Sequence, residues 1–176
     1  MKYPVLVLLV ISFFGGTYAM AKTKPNLLLA IQHGKGQEAS LNWKSKQRLS
    51  AKVAKGELYI FELSLFAKNQ EVKDVRIKLQ GDLLSKGKMG ILSKSFFRFA
   101  DNEKALQEEG VMLEPFALAQ GDKHKVYCAV KIPVYISPTT FSGTLNIEVD
   151  GEVYTSVDIQ MHVSPNMIKH TRFSEQ

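Results

Sequence analysis

Between Leu58 and Leu65 the chain alternates between two sets of side chains, Tyr59, Phe61, Leu63 and Leu65 on one side and Leu58, Ile60, Glu62 and Ser64 on the other. A period of two belongs to an extended strand, because a helix repeats its faces about every 3.6 residues. The same period returns in Val75, Ile77 and Leu79, in Val126, Cys128, Val130 and Ile132, in the inward set Leu145, Ile147 and Val149, and in the inward set Val153, Val157, Ile159, Met161 and Val163. Turn-forming groups separate these runs: Ala54-Lys55-Gly56, Asn69-Gln70, Ala119-Gln120-Gly121-Asp122 and Asp150-Gly151. Short alternating strands at this spacing, with almost no helical periodicity, predict an all-β sandwich or barrel. Leu27–Ile31 reads as a first strand, Leu41–Leu49 as a second and polar one, and Phe96–Phe99 as a short one. Asp101–Glu109 is the one helix candidate, with Asp101 as its cap and Gly110 as its stop.

The final hairpin tests register. A two-residue Asp150-Gly151 turn would set Glu148 against Val153 and Ile147 against Tyr154, polar against apolar. A three-residue Val149-Asp150-Gly151 loop pairs Ile147 with Val153 instead, with Gly151 left-handed, and is the expected form. Ser164-Pro165 is expected to end the last strand.

Residues 1–21 stand apart. Lys2 precedes the apolar run Val5–Phe14, which leads through Gly15-Gly16-Thr17 to the frame Ala19-Met20-Ala21. The run is half the roughly 20 residues a membrane span requires, and it ends in small residues at alternate positions. It is expected to be a signal peptide cleaved after Ala21, so that the protein is exported to the periplasm or the medium with no integral membrane insertion. The 155 residues that remain carry 22 basic and 17 acidic side chains. They divide into one domain over 22–164 and a flexible tail over 165–176.

Cys128 is the single cysteine, so an exported chain has no internal disulfide available. It shares the apolar parity of its strand, which predicts a buried, inert thiol.

No catalytic residues, no metal site and no cofactor are expected. The chain lacks the G-x-S-x-G and H-E-x-x-H patterns, and neighbouring Glu108 and Glu109 would diverge by about 100° on a helix. Met161, His162, Met167 and His170 have the ligand chemistry for copper, but Met161 and His162 are adjacent on a strand and point to opposite faces.

One surface feature stands out as a binding candidate. In Trp43-Lys44-Ser45-Lys46-Gln47-Arg48-Leu49, a strand sets Lys44, Lys46 and Arg48 in a row, with Trp43 on the other side as an anchor. Lys52 and Lys55 extend the charge. Such a row either engages an anionic partner or guards an edge strand against pairing. Nucleic acid is not expected, because the aromatic ring and the basic row lie on opposite faces.

Three stretches resemble a bacterial immunoglobulin-like module of the CARDB-like, adhesion type. They are Ala54-Lys55-Gly56-Glu57 before the Tyr59–Leu65 strand, Leu118–Asp122 before Lys125–Pro133, and Pro138–Leu145 before the final hairpin. The resemblance implies an immunoglobulin-like antiparallel sandwich of about seven to eight strands with at most one short helix. It also implies a binding or adhesive role. The chain is accordingly expected to be a non-enzymatic monomer that binds a protein, or an anionic cell-surface or polysaccharide ligand. A carbohydrate-binding module is the alternative, with Tyr127, Tyr135 and Tyr154 on polar-facing positions as a stacking platform.

Overall fold

The computed structural model describes residues 26–33, 44–87, 89–107 and 112–167. The segment expected to be a signal peptide, Trp43, the pair Glu108-Glu109 and His170 lie outside them. The described chain is an immunoglobulin-like sandwich of two sheets. Seven strands are long: β1 (Leu27–His33), β2 (Gln47–Lys55), β3 (Leu58–Ala67), β4 (Val72–Leu79), β9 (Lys123–Lys131), β10 (Thr140–Val149) and β11 (Glu152–Met167). Four are short: β5 (Leu83–Ser85), β6 (Ile91–Leu92), β7 (Phe97–Ala100) and β8 (Phe116–Leu118). One sheet runs β1-β3-β9-β7, and the other runs β2-β11-β10-β4-β8 with β5 and β6 attached to β10. Their pairing is antiparallel except between β2 and β11.

Period-two patterning turns one face of each strand inward. Phe61, Leu63 and Leu65 of β3 meet Val157, Ile159 and Met161 of β11, with Leu145, Ile147, Val126, Cys128 and Val130, in one continuous buried cluster. Full burial of each such Leu, Ile or Phe is worth about 1.5–3 kcal/mol, so this cluster is the main favourable term holding the two sheets together. As its aromatic density predicts, β3 is central, between β1 and β9.

Four local expectations are corrected. The second strand is Gln47–Lys55 rather than Leu41–Leu49, because Leu49, Ala51 and Val53 supply its inward set and small Ala51 conceals the alternation. The hairpin loop is the two-residue turn after all: Val149 pairs with Glu152, and Asp150 and Gly151 take φ of 52° and 80°. The polarity conflict is resolved one step later, where Ile147 pairs with Thr155 and Glu148 with Val153, which makes Tyr154 the extra residue of a bulge and puts Val153 on the exposed side instead of in the inward set. The described part of the helix candidate, 101–107, makes no α-helix; Ala105–Gln107 is a single 3-10 turn, and Asn102 Oδ1 accepts the Ala105 amide at 2.9 Å. Finally, β11 continues past Ser164-Pro165: its pairing with β2 breaks after Val163, where proline has no amide to offer, and resumes at Met167 opposite Lys55.

Between Val72 and Val75, β4 carries a second bulge, with Asp74 at φ 45°, so both valines face inward. Near the chain's beginning one corner joins the two sheets. Lys44 exchanges backbone hydrogen bonds with Leu29 at 2.8 and 2.9 Å, and three residues later Gln47 pairs with Val157 of the other sheet. Gln47 Nε2 donates to the Leu29 carbonyl at 2.7 Å, and the Leu27 amide donates to the Tyr154 hydroxyl at 3.3 Å. A buried backbone amide or carbonyl must find a partner: Tyr154 provides it for the Leu27 amide, and Gln47 adds a second donor to the Leu29 carbonyl beside the Lys44 amide.

Candidate functional site

Because β2 begins at Gln47, the basic row differs in membership from the expected one. Lys44 and Lys46 lie in the corner that precedes the strand, and the strand itself aligns Arg48, Ser50 and Lys52 on its outer face. Lys44 is held by the bridge to Leu29. Lys46 Nζ stands 3.6 Å from Asp158 Oδ2, both groups exposed. An open pair at that distance contributes little to stability.

β2 is the rim of its sheet, so the row borders a face built by β11 and β10. Register fixes the neighbours. Arg48 pairs with Asp158 and Asp158 with Thr144; Ser50 pairs with Gln160 and Gln160 with Ser142; Lys52 pairs with His162 and His162 with Thr140. Residues directly opposite in a ladder share a face, so these three rows form a polar lattice behind the basic edge. In its last row, His162 Nδ1 lies 2.8 Å from Thr140 Oγ1 and Nε2 lies 3.3 Å from Ser50 Oγ, which ties three strands together. An open furrow of about 350 Å³ follows the first two rows, lined by Arg48, Asp158, Thr144, Gln160, Ser142 and Gly143. A second, of about 580 Å³, adjoins it across Ser142 and Gln160 and reaches Lys86 and Gly87 of the β5–β6 loop.

The furrow's floor depends on a missing side chain. Gly143 has the inward parity of Phe141 and Leu145, and a Cβ there would lie 2.8 Å from Leu83 Cγ and 2.9 Å from Cδ1. Glycine thus admits β5 against β10 and brings Leu84 beside Ser142.

Arg48 was legible in the sequence, and Lys52 as an extension of it. Asp158, Gln160 and His162 were not singled out together, although their alternation against the inward Val157, Ile159, Met161 and Val163 marks them as one outer face. The three tyrosines occupy separate places. Tyr154 packs on the main core, Tyr127 packs on a small cluster of Ala100, Leu106 and Ala129, and Tyr135 stands exposed beyond β9. They form no common platform.

Met161 is fully buried, while His162 is held on the opposite face by Thr140 and Ser50. No three His, Cys, Asp or Glu side chains gather as metal ligands among the described residues. Cys128 is fully buried between Phe61 and Phe99 of the flanking strands, and burial pushes its thiol far above the usual range, so the thiolate does not form. His124 Nε2 meets Asp101 Oδ1 at 3.1 Å while its ring stacks on Phe116, with centroids 4.0 Å apart. That contact links β9 of one sheet to β8 of the other. No helix among the described residues is long and apolar enough to cross a membrane.

No protein family and no curated protein matches this sequence. Among solved structures, the chain is similar to part of a family 123 glycoside hydrolase from Clostridium perfringens, studied for glycolipid glycan hydrolysis, with a TM-score of 0.57 and 12% identity. That match covers 80% of this chain and 27% of the enzyme, so the chain spans about a quarter of its length. It also aligns with the ASH/PapD-like domain 7 of human CEP192, with a TM-score of 0.46 and 10% identity, over 96% of this chain and 100% of that one. At 12% identity the likeness to the hydrolase is one of fold.

Proposed function

We propose that this chain is an exported, non-catalytic binding module of the adhesion, CARDB-like type, whose contact surface is the β2 edge and the polar face beside it. The observation that carries the reading is the Arg48–Ser50–Lys52 row on a nine-residue edge strand. Among the described residues neither cation has an ion-pair partner, whereas Lys78 and Lys125 on interior strands each meet a glutamate. Cations left unneutralised on a rim raise the local concentration of an anionic partner and speed its association. The partner is a protein or an anionic cell-surface ligand, met after cleavage behind Ala21.

Pull-down from the native envelope and medium identifies that partner, and Arg48→Glu with Lys52→Glu tests the surface. Binding should weaken in the variant, and for wild type it should weaken with salt as the Debye length falls from about 10 Å at 0.1 M to about 3 Å at 1 M. A charge-reversed protein that binds normally at low salt removes the row from consideration. Arg48→Val with Lys52→Thr separates the alternative of edge protection, since aggregation with unchanged binding would mark the row as a guard. A hydroxylated polysaccharide is the second reading, favoured by the Ser142, Thr144, Gln160 and Asp158 lining of the furrow. Affinity electrophoresis in which Gln160→Ala abolishes retardation would select it.

A further inference from the structure

Exposed apolar side chains gather at one end of the sandwich. The end is defined by register: β2 turns into β3 there through Gly56, β9 leaves there at Lys131 opposite Leu58, and β11 arrives there with Met167 opposite Lys55. The β5–β6 loop rises to the same level beside the first residues of β10, with Gly90 against the Phe141 ring. Of the nine large apolar side chains exposed among the described residues, Leu58, Met89, Val134, Tyr135 and Met167 lie at this end, with Met89 96% and Tyr135 79% exposed. They project from separate turns and a strand terminus rather than lining one recess. Val134 rests on Gly56, where a Cβ would stand 3.2 Å from its Cγ1, so the two turns support each other.

The charges at this end are basic with one exception. Residues 55–58, 86–90, 131–140 and 163–167 contain a single acidic side chain, Glu57. Its Oε2 accepts the Ala54 amide at 2.6 Å and is engaged within its own turn. Lys55, Lys86 and Lys131 surround the apolar residues. At the opposite end, the turns mix the exposed acids Glu71, Asp122, Asp150 and Glu152 with the exposed Lys68, Lys73 and Lys123, and Glu71 meets Lys73 at 3.2 Å. The net basic excess lies at the Lys55 end.

We propose that this end docks on an anionic lipid bilayer, with Tyr135, Val134, Met89, Leu58 and Met167 entering the interface and Lys55, Lys86 and Lys131 reaching the phosphates. Single apolar side chains on loop tips, interleaved with lysines, suit a fluid interface that receives each one separately, and tyrosine prefers the headgroup level. A protein partner calls for a contiguous packed patch. A second copy meeting the same end would set lysine against lysine. The proposal shares Lys55 with the end of β2 but does not draw on Arg48 or Lys52.

Flotation of the full chain with vesicles of phosphatidylcholine, and of phosphatidylcholine with phosphatidylglycerol at roughly two to one, tests it. The apolar run Val5–Phe14 contributes alike to wild type and variants, so the ratio between them is the readout. Wild type should bind the anionic vesicles more tightly. Lys55→Gln, Lys86→Gln and Lys131→Gln together should cost roughly a hundredfold on anionic vesicles, at about fivefold per lysine, and little on neutral ones. Met89→Ser with Tyr135→Ser should weaken binding at least roughly tenfold with unchanged circular dichroism, since both side chains are exposed. Binding indifferent to headgroup charge, or unaltered in both variants, overturns the proposal. So does a dimer in sedimentation equilibrium that Met89→Ser with Tyr135→Ser dissolves while vesicles are ignored.

Discussion

Replacing Gly143 by alanine places a Cβ 2.8 Å from Leu83 Cγ and 2.9 Å from Cδ1, inside the closest approach that carbon atoms make. Leu83 is fully buried, so it has no open space into which to swing. Overpacking of this kind costs about 1–3 kcal/mol. The alanine also restricts the unfolded chain and suits a strand better than glycine, a gain of about 0.5–1 kcal/mol. The net expectation for Gly143→Ala is a loss of about 0–2.5 kcal/mol, with a mid-range value of about 1 kcal/mol. Leu83→Ala alone should cost about 2–4 kcal/mol through the cavity it leaves. In the Leu83→Ala background the two close atoms are gone, and the nearest remaining one is Leu83 Cα at 3.5 Å, an ordinary contact. Gly143→Ala should there be neutral or stabilising by about 0.5–1 kcal/mol, so its effect changes sign. The four proteins form a double-mutant cycle with a coupling of about 1–3 kcal/mol, measured by urea unfolding followed by far-UV circular dichroism. Equal destabilisation by Gly143→Ala in both backgrounds would refute the claim that glycine is there to admit Leu83.

Four other outcomes follow from the core, the corner and the outer face of β11. Cys128→Ser should lose about 1–3 kcal/mol through a buried hydroxyl, and the native thiol should resist Ellman's reagent until denaturant is added. Because burial raises the Cys128 pKa, the folded state keeps a proton that the unfolded chain releases above about pH 8.5. Stability should therefore fall by about 1.4 kcal/mol per pH unit above that value, and the excess slope over Cys128→Ala, read from unfolding between pH 8 and 10, isolates this thiol. Tyr154→Phe removes the acceptor of the Leu27 amide and should cost about 1 kcal/mol in the same urea assay. Calorimetry with Cu(I) or Zn(II) should give no saturable heat dependent on His162, since Met161 is buried on the other side of its strand.

Strands that obey one parity from end to end were legible: β3, β9 and the stretch of β11 from Val157 to Val163 carry their inward sets where the alternation puts them. Legibility failed where parity changes within a strand. The conflict in the last hairpin could be seen, but whether a loop residue or a bulge would absorb it depended on what Tyr154 could reach. Its hydroxyl finds the Leu27 amide from a strand that is distant in sequence. The Asp74 bulge similarly serves the pairing of Val72 and Val75 with Leu118 and Phe116. For β2, the signal was weak because alanine is a poor marker of an inward position, and its partner, β11, lies more than a hundred residues away. The basic row shows the same division. Arg48 announces itself locally, while the Asp158, Gln160 and His162 that face it across the ladder are set by a long-range parallel pairing.

That parallel pairing has a mechanical consequence. Because β2 and β11 run in the same direction, Gln47 lies at one end of their ladder, opposite Val157, and Met167 lies at the other, opposite Lys55. Tension applied through Gln47 and Met167 drives the two strands past each other lengthwise. The slanted, evenly spaced hydrogen bonds of a parallel ladder then bear the load together. Tension between Gln47 and Val157 would instead peel the same strands apart one bond at a time. A chain tethered at one extremity and holding a ligand or surface near the other would meet force in the direction in which this ladder yields last.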